Sequence, residues 1–148
     1  MGSKTTNNLK DFTIPAVDPN GVVGTHPGVV LTDGVDVWAR FEGKMPELMR
    51  NLNRAYLVIV PGGTGNLRRS VNSNYGVQGE AYNVHAGAIA AGQVAVIINQ
   101  ITFIDVTAVL ANVGAGDHFG LEFIREASNA LDTANADCRL LSLNVQYV

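Results

Sequence analysis

Residues 114–148 (GAGDHFGLEFIREASNALDTANADCRLLSLNVQYV) constrain the fold more than any other part of the chain. Phe119, Leu121 and Phe123 alternate with His118, Gly120 and Glu122; further on, Leu141, Leu143, Val145 and Tyr147 alternate with Ser142, Asn144 and Gln146. Successive side chains leave an extended backbone on opposite sides, so a sustained period of two marks a strand with one face buried and one wet. Residues 126–137, between the two runs, are too rich in Asn, Asp, Ser and Thr for a core and read as a long surface connector.

Length and composition narrow the class. A chain of 148 residues suits one domain with one sizeable core. Its 16 glycines and 5 prolines imply many turns and favour strands over a helix bundle. A charged fraction of 16% against 47% hydrophobic residues implies that other subunits cover some apolar surface. The net charge of -3 argues against nucleic acid as a partner, since phosphate contacts need clustered Lys and Arg. No membrane span is expected. The longest apolar run, residues 86–98, is interrupted by Gly87, Gly92 and Gln93, and residues 1–10 lack the apolar centre of a secretory signal. Cys138 is the only cysteine, so it has no disulfide partner or metal-ligand pair; it reads as a small buried hydrophobe at the start of the last strand.

In chain order, residues 1–34 read as an extended N-terminal arm, polar at first, then rich in proline and glycine, with short strands at 12–14 and 29–31. Residues 35–148 read as a sandwich domain. VDVWARF (35–41) alternates, and Trp38 on its second face implies that this face is partly covered. Residues 44–54 suit either a short helix starting at Pro46 or a loop that lids the sandwich. AYLVIV (55–60) suits a strand buried on both faces, and PGGTGN (61–66) a hairpin turn. Next come a strand at 67–71 carrying Arg68 and Arg69, a strand at 75–84 with Gly79 as a bulge, and a loop or single helical turn at 86–92. Residues 93–109 hold a long β-branched run, and 112–117 a turn. About eight strands at roughly 10–15-residue spacing predict an all-β fold, a single jelly-roll-like antiparallel β-sandwich behind an extended arm.

No catalytic set emerges. PGGTGNLRRS lacks the GK[ST] ending of a phosphate loop and no amphipathic helix follows it. His26, His85 and His118, with Asp117 or Glu80, have no metal-ligand spacing. Glu80 and Glu122 have no positive support as a glycoside-cleaving pair. The expectation is a non-enzymatic protein without a cofactor. Trp38, Arg68, Arg69, Tyr75 and Tyr82 are the candidates for an interaction surface, either stacking on a sugar, holding an anion or meeting a subunit.

The pattern Gly116-Asp117, alternating apolar residues 119–123, REASNALDTANAD (125–137) and the alternating strand 140–147 resembles a small β-sandwich domain of bacteriophage virion proteins. The likeness extends more weakly upstream to VWARFEGKMPEL (37–48), residues 55–60 and GVQGEAY (76–82), covering roughly residues 35–148. It implies a jelly-roll head that assembles as a homotrimer, with other virion proteins such as a major capsid protein as partners and the virion, assembled in the host cytoplasm, as location. It brings no catalytic residues. Within it, Arg125, Asp132, Thr133 and Asp137 are expected to form a structural clamp, Arg125 pairing with an aspartate to pin the long loop across the sandwich end. The absence of a repetitive stalk favours a capsid decoration or cement protein. The alternative is a receptor- or carbohydrate-binding head of a tail fibre or tail tip, with a host-surface glycan as ligand.

Overall fold

The computed structural model describes residues 9–16 and 22–148. Its strands are β1 (Lys10–Pro15), β2 (Val22–Val23), β3 (His26–Pro27), β4 (Val29–Leu31), β5 (Asp36–Lys44), β6 (Leu52–Pro61), β7 (Gly65–Gly76), β8 (His85–Val96), β9 (Thr102–Asp105), β10 (His118–Glu126) and β11 (Cys138–Tyr147); one 3-10 turn spans Thr107–Leu110. Two antiparallel sheets pack face to face. In the first, β11 is central, with β1 and β4 along one side and β6 then β9 on the other; the second runs β5-β10-β7-β8. β2 and β3 form a small hairpin apart from both. From β4 onward the chain crosses between sheets so that the orders β4-β11-β6-β9 and β5-β10-β7-β8 face each other, which is the double Greek key of a jelly roll. The all-β sandwich expected from the sequence is therefore the observed fold. The region before residue 35 contributes β1 and β4 to the first sheet.

The alternating runs meet in the core. Phe119, Leu121 and Phe123 of β10 are buried against Leu57 and Ile59 of β6 and against Leu140, Leu143 and Val145 of β11 within one cluster. Each such side chain contributes on the order of 1.5–3 kcal/mol by leaving water. Alternation in β11 is not continuous. Leu140 pairs with Ile59 and Ser142 with Val58, so Leu141 is an extra residue in a β-bulge. Cys138 and Leu140 face inward before it and Leu143 and Val145 after it, all fully buried, because the bulge resets the phase. Leu141 sits where β4 ends and β1 begins, and its carbonyl accepts a hydrogen bond from the Ala16 N–H (2.9 Å).

Several local expectations are corrected. Residues 61–65 do not close a hairpin: β6 and β7 lie in opposite sheets, and the turn is a corner between layers. Its glycines serve close approach, since a Cβ at Gly63 would sit 2.1 Å from the Ala134 carbonyl oxygen and one at Gly62 2.2 Å from that of Asp137. β7 continues to Gly76, and residues 77–84 form a turn-rich loop, not a strand. Residues 86–92, expected as a loop or helical turn, lie inside β8, an edge strand paired to β7. The long run 93–109 is broken into the end of β8, a turn, β9 and the 3-10 turn. Residues 45–51 form a loop with Met45 and Met49 buried under the sandwich end.

Candidate functional site

The residues singled out in REASNALDTANAD gather at the end of the sandwich near the β6–β7 corner. Arg125 is an inward-facing residue of β10 and its side chain is fully buried. Nε and Nη2 donate to the two carboxylate oxygens of Asp132 (3.1 and 3.0 Å), whose side chain is also inaccessible. Nη1 donates to the carbonyls of Leu31 (2.7 Å) and Ala136 (2.8 Å), and Nη2 lies 3.5 Å from Asp33 Oδ1. Four of the five guanidinium N–H groups are thus hydrogen-bonded, with the Asp33 carboxylate near the remaining one. Burial alone would pull its pKa down, but the hydrogen bond to Asp132 and the neighbouring charges outweigh that and leave it raised. Asp132 also accepts from the Arg68 N–H, Asp137 from the Asp33 N–H, and Thr133 Oγ1 from the Asn66 N–H. Residues 126–137 are thereby tied to β4, β7 and β10.

On the outer face of the second sheet lies a cleft of about 780 Å³. Outward side chains alternate with the core residues, so Arg40 and Glu42 of β5, His118 and Glu122 of β10, and Asn72 and Asn74 of β7 share its floor. Register places Gly120 between Glu42 and Asn74, and a Cβ there would have only the Phe41 carbonyl within reach, at 4.0 Å. The missing side chain leaves the middle of the floor bare. Arg40 Nε donates to Glu122 Oε2 (2.8 Å). The loop 77–84 walls one end. It folds back over Gly76, where a Cβ would lie 2.9 Å from the Ala81 carbonyl oxygen, and is held by Val77 N–H donating to Glu80 Oε2 (3.1 Å). Tyr82, 79% exposed, stands on this wall.

The residues proposed for an interaction surface separate. Trp38 is half exposed on the outer face of β5, and Tyr82 borders the cleft. Arg68 is paired with Glu126 (2.8 Å). Arg69 lies under the edge strand β8, donating to the Ala90 carbonyl, and burial lowers its pKa. Tyr75 points into the sandwich, 3% exposed, with its ring stacked on His85. Glu80 and Glu122 line the same cleft, but each is engaged, Glu122 by Arg40 and Glu80 by the Val77 N–H and, at 3.7 Å, His85. His118 is in the cleft and His26 in β3; among the described residues no three His, Cys, Asp or Glu gather around a possible metal position. Sequence reasoning missed Arg40, Glu42, Asn72, Asn74 and Gly120. The available signal was the polar phase of three alternating strands, which has meaning only once their lateral order is known.

Compared with solved structures, the chain is similar to a chain of the T13 infectious bursal disease viral particle, an icosahedral virus, with a TM-score of 0.56 at 13% identity over 95% of this chain and 31% of that one. It is similar to a chain of infectious bursal disease virus, Gx strain, with a TM-score of 0.54 at 11% identity over 96% of this chain and 32% of that one. The chain thus spans about a third of the length of both. A chain of an arabinose-bound α-L-arabinofuranosidase superposes at a TM-score of 0.39 and 12% identity over 94% of this chain and 23% of that one, too loosely to bear on the fold. No family model and no curated protein matches the chain. At these identities the shared property is the β-sandwich fold, common to this chain and to chains of a virus particle.

Proposed function

We propose that the protein is a non-enzymatic structural protein of a bacteriophage particle, a decoration or cement protein that assembles as a trimer and packs on other virion proteins such as a major capsid protein. The observation that carries this reading is the likeness in fold, over nearly the whole chain, to chains of a virus particle. The exposed side chains agree with it. Ile97, Ile98, Ile101 and Phe103, each about half exposed or more, cluster in sequence around the edge strand β9. Single exposed apolar residues are ordinary, but several of them on and just before an edge strand support cover by a neighbouring subunit. In this reading Arg125, Asp132, Thr133 and Asp137 form the clamp that holds the loop 126–137 rigid under load from neighbours. Light scattering on the purified protein tests it. A mass of three times the 15.7 kDa chain at micromolar concentration is expected, falling to the monomer in Phe103→Glu. A wild-type monomer refutes the assembly. The second reading, a receptor- or carbohydrate-binding head, draws its support from the cleft on the second sheet and its exposed Tyr82.

A further inference from the structure

We propose that the cleft over β5, β10 and β7 binds an uncharged oligosaccharide. Its volume, about 780 Å³, falls in the range of roughly 300–1,000 Å³ that holds a compact ligand. Its floor is a flat sheet face that offers donors and acceptors side by side. The amides of Asn72 and Asn74 supply both, and the Arg40–Glu122 pair, joined through Nε, keeps further N–H groups and carboxylate lone pairs for a ligand. A sugar hydroxyl is donor and acceptor at once, so it can use such a surface where a purely anionic or apolar ligand cannot.

Three further features select a neutral sugar. Gly120 leaves the centre of the floor without a side chain, giving a ring room to lie against the backbone. Tyr82 presents an exposed ring at the wall, an apolar platform with a polar tip, suited to the C–H face of a pyranose. Glu42, Glu80 and Glu122 outnumber Arg40, so a phosphate, sulfate or sialic acid would meet net negative charge. The wall is also built before any ligand arrives. Besides the Val77–Glu80 bond, Glu80 N–H donates to the Val77 carbonyl (3.0 Å) and Val84 N–H to that of Ala81 (3.1 Å). A preformed wall reduces the ordering that binding would otherwise require. The inference deepens the carbohydrate-binding reading and rests on it only for the source of the sugar, a host surface.

The test is titration calorimetry of the full chain against neutral gluco-, galacto- and manno-oligosaccharides and against sulfated and sialylated oligosaccharides. At least one neutral series is expected to bind at or below about 1 mM, with the acidic compounds at least tenfold weaker. Tyr82→Ala weakens binding about tenfold. Gly120→Leu abolishes it by filling the floor, with the melting temperature and the light-scattering mass unchanged because the new side chain enters open space. That unchanged mass separates failure of this site from failure of the assembly. Binding by no neutral compound, equal or tighter binding of acidic ones, wild-type affinity in Gly120→Leu, or binding only of a lysine-rich control peptide overturns the proposal.

Discussion

Replacing Arg125 by Met probes the polar centre of the sandwich most directly. The substitution keeps an unbranched apolar stem of similar length and deletes the guanidinium. It leaves the Asp132 carboxylate, whose side chain has no solvent contact, with only the Arg68 N–H, and it removes the guanidinium donor from the Leu31 and Ala136 carbonyls, Ala136 keeping only the weak Cys138 thiol. Breaking a buried pair by removing one partner costs about 3–5 kcal/mol, because the other charge stays buried and uncompensated. Against a total stability of about 5–15 kcal/mol this is about a fifth or more of what holds a domain together. At roughly 2–4 °C per kcal/mol for a chain near this size, the melting temperature should fall by about 6–20 °C. Urea unfolding of Arg125→Met, of Asp132→Leu and of the double variant measures the coupling. The double variant, with no orphan charge, should recover part of the loss, a coupling of about 0.5–3 kcal/mol. A loss below about 1 kcal/mol for Arg125→Met, the value of an exposed ion pair, would refute the reasoning.

Two further predictions concern the corner and the alkaline limb. Gly63→Ala should destabilise by about 1–3 kcal/mol, because its methyl meets the Ala134 carbonyl oxygen at 2.1 Å, whereas Gly120→Ala, with open space above it, should be neutral; equal melting temperatures for the two would overturn the close-approach argument. Burial pushes the Cys138 thiol above its ordinary 9.0, with Arg125 pulling partly the other way, and burial with nearby Asp117 pushes the Tyr75 hydroxyl above its ordinary 10.0. The unfolded chain therefore releases these protons first, so their contribution is complete below those ordinary values and is lost as pH rises above them. Urea midpoints should fall as pH rises above about 9 and fall less in Cys138→Ala; the same fall in both proteins would contradict this assignment.

What the sequence disclosed and what it hid have physical causes. β5, β10 and most of β11 were legible because one face of each is wet, so burial writes a period of two into the residues. The same logic failed at Leu141, where a bulge lets residues of opposite parity face the core. β8 was hidden because HAGAIAAGQVAV is an edge strand, and Gly87, Ile89, Gly92 and Val94 are only half buried. Small residues suffice there, and small residues also suit loops and helices. The corner at 61–65 looked like a hairpin because turn chemistry is local, whereas the sheet a strand joins is decided by distant partners. Arg125 and Asp132 stood out only through the resemblance carried by REASNALDTANAD, because Asp132 lies in a segment whose polar composition reads as surface. The cleft did not, because its most informative residue, Gly120, contributes by what it lacks, and that gap exists only beside Glu42 and Asn74.

The placement of β11 bears on how the molecule comes into being. It is the last strand in order, yet the middle of its sheet, so β1, β4 and β6 must wait for it before their backbone groups are paired on that side. Thr13 and Asn144, which meet across β1 and β11, are 131 residues apart in the chain. Such non-local pairing is characteristic of folds that form in milliseconds to seconds, not microseconds. While β11 is still being synthesised, the edges of β6 and β4 that it pairs are open, which invites association between nascent chains. Because β11 follows all the strands that it pairs, its arrival is the step on which productive folding of the first sheet depends.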